Sequence, residues 1–351
     1  MILHNNIIKN GGLFMGDTTK IPLISSEIAG LWNAYMSESL TIRVLSYFLN
    51  RVEDPETKDL LQKTFDLSNQ HITQVTDIFN QAGLPIPDAF TDNDVNINAP
   101  RLFSDSFYLA YLSFMSRIAM HNYTLILNEM ARSDMRDYFS KRIYDSIDLY
   151  NQSAELRLSK GIFIRAPFVE MAKKVEYVKS QNFMVGLFGE KRPMLLNEVT
   201  QLFGLTFSNI VGRSLSTGFG QVSKNEKISD YLFEGRDIAS NIVSELTEVF
   251  SVDEIPIPST SDSFVTDSTI APFSEKLMLT HMLVLSSSAI STLGMAVSES
   301  LRVDLYTLYL KYTARIMKFS QKGAKMMIDY KWLEQPPSVL KHKDLVGVQK
   351  Q

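Results

Sequence analysis

The chain has 351 residues, 45% of them hydrophobic, no cysteine and a formal net charge of −4. That length accommodates about two ordinary domains, and the lack of cysteine excludes disulfides, thiolate zinc sites and cysteine nucleophiles. With no basic run and no Lys/Arg stripe, nucleic acid is not an expected partner; absent cysteine suits a reducing cytoplasm, the expected location.

No window approaches the ~18 consecutive apolar residues of a membrane-spanning helix, so no span is expected. The first residues, MILHNNIIKNGGLFMG, lack the apolar core of a signal peptide. Codons for Gly11 and Gly12 can spell a ribosome-binding sequence shortly before Met15. Two readings stand: Met15 is the natural start, or residues 1–22 form a genuine N-terminal arm.

Helix A of the first half is expected over 25–51. Ile28, Leu31, Trp32, Tyr35, Ile42, Leu45 and Leu49 recur at helical spacing, with Ser26 as cap. Asp54-Pro55-Glu56 opens helix B, since proline is tolerated in a first turn, and Gly83 closes it. Residues 84–100 are rich in Pro, Asp and Asn and read as a crossover along the outside of a bundle. Helix C follows over 104–131, with Phe107, Tyr111, Phe114, Ile118 and Leu125 inward; helix D starts at Asp134 and ends before Pro167. Residues 168–193 form a linker in which Val175 to Val178 alternate like a short strand, Gly186 to Gly189 read as a turn, and Tyr177, Phe183 and Phe188 predict packing against both halves.

The plan then repeats: helices over 195–222, 228–250, 274–301 and 303–328, with a long connection over 251–272. Leu84-Pro85-Ile86-Pro87 returns as Ile255-Pro256-Ile257-Pro258, Glu27 as Glu198, and Phe103-Ser104-Asp105 as Phe273-Ser274-Glu275. A repeat this long is a whole domain, not a solenoid unit. The domains are therefore 23–167 and 194–338, with a tail over 339–351. Short, long and short connections in each half make the fold class all-α, with two tandem ferritin-like four-helix bundles and a long B–C crossover in each.

Four stretches carry a family resemblance: Gly186-Leu187-Phe188-Gly189-Glu190-Lys191-Arg192-Pro193, Val265-Thr266-Asp267-Ser268-Thr269, Pro272-Phe273-Ser274-Glu275-Lys276-Leu277-Met278, and Trp332-Leu333-Glu334-Gln335-Pro336-Pro337. In this order they resemble the uncharacterised duplicated ferritin-like family of spore-forming bacteria, distantly similar to spore coat protein F. The resemblance spans about residues 23–339. It implies two ferritin-like bundles and an association with the spore, and it implies no reaction.

Ferritin-like metal enzymes take one Glu from each of two helices and a Glu-x-x-His from each of the other two. No Glu-x-x-His occurs in this chain. Glu38, His71 and His121 nevertheless fall on or beside inward stripes of the first half, with Glu129 two turns beyond His121. These four residues are either hydrogen-bonded core groups or a degenerate site for Fe, Mn or Zn. Asp66, Asn69, Asp145 and Asp148 read as wet helix faces. In the second half Asn209 stands for Glu38 and Arg315 for Asp145, so no metal is expected there. His281 and Glu299 read as structural groups.

No phosphate-binding Gly-rich loop and no Gly-x-Ser-x-Gly elbow appears. Ser286-Ser287-Ser288 implies close helix packing or room for a ligand. Ser274 and Glu275 suit a helix N-terminus, and Trp332 to Pro337 suit anchoring on the bundle or docking a partner. The leading expectation is a non-catalytic structural or interaction protein with no cofactor, engaging a protein partner or itself. The alternatives are a metal-binding or oxidase-like protein using the first half, and a small-molecule binder using a bundle cavity.

Overall fold

A computed structural model describes residues 21–170, 173–185, 191–256 and 263–339. The readings at Met15, at the Gly186 to Gly189 turn, and over the tail beyond Val339 lie outside the described residues. Within them are eight α-helices: α1 (Ser25–Leu49), α2 (Pro55–Ala82), α3 (Asp105–Leu127), α4 (Ser133–Ser159), α5 (Leu196–Val222), α6 (Glu226–Val252), α7 (Glu275–Glu299) and α8 (Val303–Asp329). The described residues form no strand, only isolated bridges. Each half is a four-helix bundle with a short α–α turn, a long crossover and a second short turn, the ferritin-like connectivity.

Local chemistry sets the helix ends. Asp54 accepts the Thr57 N–H at 2.9 Å with Pro55 in the first turn, and Gly83 closes α2 in the left-handed region at φ 64°. Ser104 and Ser274 cap α3 and α7 by accepting the Phe107 and Leu277 N–H groups. Ser26 is not the cap of α1; its hydroxyl donates to the Glu129 carbonyl. Glu27 instead reaches back to the Ile24 N–H at 2.9 Å. Its other oxygen accepts the Ala131 and Arg132 N–H groups, pinning α1 to the α3–α4 turn. Glu198 does the same in the second half with Leu195, Leu301 and Arg302.

A second pair of carboxylates pins the other end. Asp105 accepts the Glu53 and Asp54 N–H groups, and Glu275 those of Lys224 and Asn225. Buried backbone donors must find acceptors, and these repeated acidic residues supply them.

The halves are joined through their cores. One apolar cluster runs through both and includes Phe48, Phe103, Phe107, Phe219, Phe273 and Leu277. The crossovers bond each other reciprocally. Ser104 N–H donates to the Phe264 carbonyl at 3.1 Å, and its counterpart Ser274 donates to Asp94 at 2.9 Å. Thr266 N–H donates to Leu102 at 3.0 Å, and Asn96 to Pro272 at 2.7 Å. The bridges Val95 to Phe273 and Phe103 to Val265 obey the same exchange. On α3 and α7, Tyr111 meets its own counterpart His281, and His121 meets Ser291, each pair 170 positions apart. Exchange of equivalent contacts defines an isologous interface, so the chain is a covalently fused pseudo-dimer with α3 and α7 beside its axis.

Three expectations are corrected. Leu125 is 53% exposed, because the last turn of α3 packs on the core through Tyr123, Ile126 and Leu127 and leaves Leu125 on the outer face. Residues 175–178 are not a strand, having no partner to pair with. The described part of the linker does not pack broadly on both halves: Phe168 and Val175 are each 88% exposed and Tyr177 85%, while Phe188 lies outside the described residues. Phe183 is partly covered, under the Arg192 guanidinium at 4.3 Å. Helix α7 is long and apolar enough to cross a membrane by composition; here it is a core helix, with Leu277, Met278, Leu279 and His281 buried.

Candidate functional site

The helices of the first half each contribute one residue to a polar cluster in an apolar bundle. Glu38 comes from α1, His71 from α2, Tyr123 from α3 and Asp145 from α4. Glu38 follows the buried Leu31 and Ala34 by one to two turns, and His71 precedes the buried Val75 by one, so helical periodicity carries both inward. His71 Nδ1 lies 2.8 Å from Glu38 Oε1, and its Nε2 lies 3.1 Å from Asp145 Oδ2. The Tyr123 hydroxyl donates to Glu38 Oε1 at 3.3 Å. Glu38 and His71 are each only 6% exposed.

Burial dominates the electrostatics. Desolvation pushes the Glu38 carboxyl up to about 7, against the Ser68 hydrogen bond and the charge of Arg142. Burial, then the Glu38 charge, raises the Tyr123 phenol well above its ordinary value. Arg142 is fully buried, donates to Gln74 at 2.7 Å and lies 4.6 Å from the centre of the Tyr138 ring. Burial lowers its pKa, with Glu38 and Asp145 opposing.

Both imidazole nitrogens thus face carboxylates. A charged His71 donates to both; a neutral one donates to one and accepts from the other carboxyl when that is protonated. Glu38, His71 and Asp145 thus form a hydrogen-bonded chain spanning three helices.

The four sequence-expected residues do not converge. Glu38 and His71 meet. His121 points across the axis, where its Nε2 lies 2.7 Å from Ser291 Oγ. Glu129 is exposed beyond the end of α3. Among the described residues no group of three or more His, Asp or Glu is arranged to hold a metal ion. With Glu-x-x-His absent and both His71 nitrogens facing carboxylates, these residues do not fit a di-metal centre.

Sequence reasoning missed Asp145 and Tyr123. Asp145 looks solvated beside Asp148, and it does carry Lys141 at 3.0 Å on its outer side. The available signal was its place among Arg142, Ser146 and Leu149, a stripe that faces inward. Asp148 is exposed and pairs with Lys63, as a wet face requires.

In the second half Asn209, Ile242, Leu293 and Arg315 occupy the equivalent places. Asn209 bonds the Leu205 carbonyl within its own helix, Ile242 is buried, and Arg315 lies 3.5 Å from Glu245. His281 is fully buried, and burial lowers it to about 4.

Each half nevertheless keeps a cavity at this level. The first is about 420 Å³ and includes Glu38, His71, Tyr123 and Asp145 in its wall; the second is about 280 Å³ and includes Asn209, Ile242, Leu293 and Ser286. Ser286 and Ser288 therefore border open space.

The family profile described as protein of unknown function (DUF3231) matches residues 13–175 and again 182–345. The uncharacterized protein YvdQ of Bacillus subtilis is 28% identical over 78 residues, which are 22% of this chain and 46% of that relative. The chain thus spans under half the length of that curated relative. A solved structure described as a candidate spore coat protein of Bacillus halodurans C-125 aligns at 19% identity and a TM-score of 0.40, over 44% of this chain and 99% of that one.

Proposed function

Because the chain belongs to the family described as protein of unknown function DUF3231, matched once in each half, we propose that it is a non-catalytic structural or interaction protein. Its site of action is the spore, reached from the cytoplasm, and its partners are proteins or further copies of itself. One observation carries the reading: three pairs of polar residues repeated between the halves hold backbone. Glu27 with Glu198, Asp105 with Glu275, and Ser104 with Ser274 tie turns and crossovers together. The Glu38–His71–Asp145 cluster occurs once and is lost in the second copy.

The spore assignment rests on the resemblance carried by Pro272 to Met278 and Trp332 to Pro337. The second segment serves as an anchor: Trp332 stacks on Tyr330 at 4.7 Å, and Glu334 accepts the Asp88 and Ala89 N–H groups of the first-half crossover. A metal-dependent role has weaker support, because His71 has both nitrogens committed.

The test is fractionation of a sporulating culture with antibody against the full chain. Enrichment in washed spores over vegetative cells is the expected result. Confinement to vegetative cytoplasm contradicts the proposal.

A further inference from the structure

The first-half cavity has the form of a ligand site built at one end only. Its apolar wall is made by Leu45, Leu112, Met115 and Leu149, with Val284 contributed by the second half across the interface. Its polar end is the Glu38–His71–Asp145 cluster. Its rim lies between α1 and α3, where Asn33, Ser37 and Asn122 are exposed. At about 420 Å³ it falls in the ordinary range of small-molecule pockets, which pair an apolar body with a few convergent polar groups.

The charge at the polar end selects the ligand. Two carboxylates, Glu38 and Asp145, share one imidazole, and the buried Arg142 supplies the neighbouring positive charge. Lys141 pairs with Asp145 from outside, with its own side chain 54% exposed. A negative head group would meet both carboxylates. A positive one would meet Glu38, a desolvated acid whose cationic neighbour Arg142 gives its hydrogen bond to Gln74 instead, and such pairing favours the ionised carboxylate.

The second half is an internal comparison. It keeps an equivalent cavity, yet Asn209 and Ile242 replace Glu38 and His71. The open space therefore belongs to the bundle architecture, while the charge belongs to the first half alone.

We propose that the first-half cavity binds an amphiphile with a primary ammonium head, the head at Glu38 and the alkyl body along Leu45, Leu112 and Met115. One molecule binds per chain. The site is independent of the scaffold role and stands or falls on its own measurement.

The test is calorimetric titration of the full chain at pH 8 with n-octylamine, and with octanoate, 1-octanol and spermidine as comparison probes. Octylammonium is expected to bind one per chain, at least about tenfold tighter than each of the others, the scale of one charge-assisted hydrogen bond. Glu38→Gln is expected to remove that preference. Met115→Trp, which fills the apolar wall without touching the cluster, is expected to block binding; circular dichroism checks that both variants fold. Asn209→Leu, in the second cavity, is expected to leave binding unchanged. Equal affinity for octanol, preference for octanoate, equal affinity for spermidine, or no binding of octylamine would each overturn the proposal.

Discussion

Glu38 sits where a charge is costly, buried in the apolar first bundle. It is an acid raised from 4.5 to about 7, chiefly by burial. Below 4.5 the carboxyl is protonated whether the chain is folded or not, and ionisation costs nothing. Between 4.5 and about 7 the unfolded chain releases the proton while the folded chain keeps it, so the unfolded state binds fewer protons and stability falls as pH rises. Above about 7 the loss levels off. Glu38→Gln removes this titration, so its melting temperature relative to the parent chain should climb between pH 5 and pH 8. A difference that is flat over that range would show that Glu38 titrates normally. Glu38 and His71 were legible in the sequence because both lie on or beside the apolar stripes of their helices. Asp145 was not, because an aspartate beside Asp148 and one turn from Lys141 has the pattern of a solvated face. His121 shares α3 with Tyr123 but faces α7, and α3 ends before Glu129.

Helix boundaries were the most legible elements. Asp54-Pro55, Gly83, Ser104 and Ser274 act through backbone groups of their own neighbours, so their meaning is local. The pairing of the two crossovers was illegible because most of its bonds join backbone to backbone, and the side chains that add to it, Thr266 on the Arg101 carbonyl and Ser274 on Asp94, are residue types common in any loop or cap. One trace of it is a glycine. A Cβ on Gly218 of α5 would lie 2.6 Å from the Phe103 ring, whereas one on Gly212 would meet nothing within 4 Å. Gly218→Ala should therefore cost about 1–3 kcal/mol by overpacking the interface. Gly212→Ala should be neutral or stabilising, since alanine is the better helix former. Urea midpoints of the two variants check this; equal midpoints would mean that Phe103 does not seat against α5.

For the molecule as a whole, duplication was legible from matched residues, but what duplication built was not. The sequence pattern pointed to a linker packed against both halves, not to direct contact between the bundles. The structure joins them by reciprocal crossover bonds, by the Tyr111–His281 and His121–Ser291 pairs and by a shared aromatic core, while Phe168, Val175 and Tyr177 of the linker lie exposed. The second half holds its place in the assembly without the polar cluster of the first. It also makes the scaffold reading depend on one claim, that the halves hold together without the tether. The direct measurement is to insert a site-specific protease sequence after Lys174, cleave the purified chain completely, and determine its mass in solution. The account predicts that both fragments stay together at the mass of the intact chain and unfold in one transition. Fragments that separate into two folded halves, each melting on its own, would contradict it.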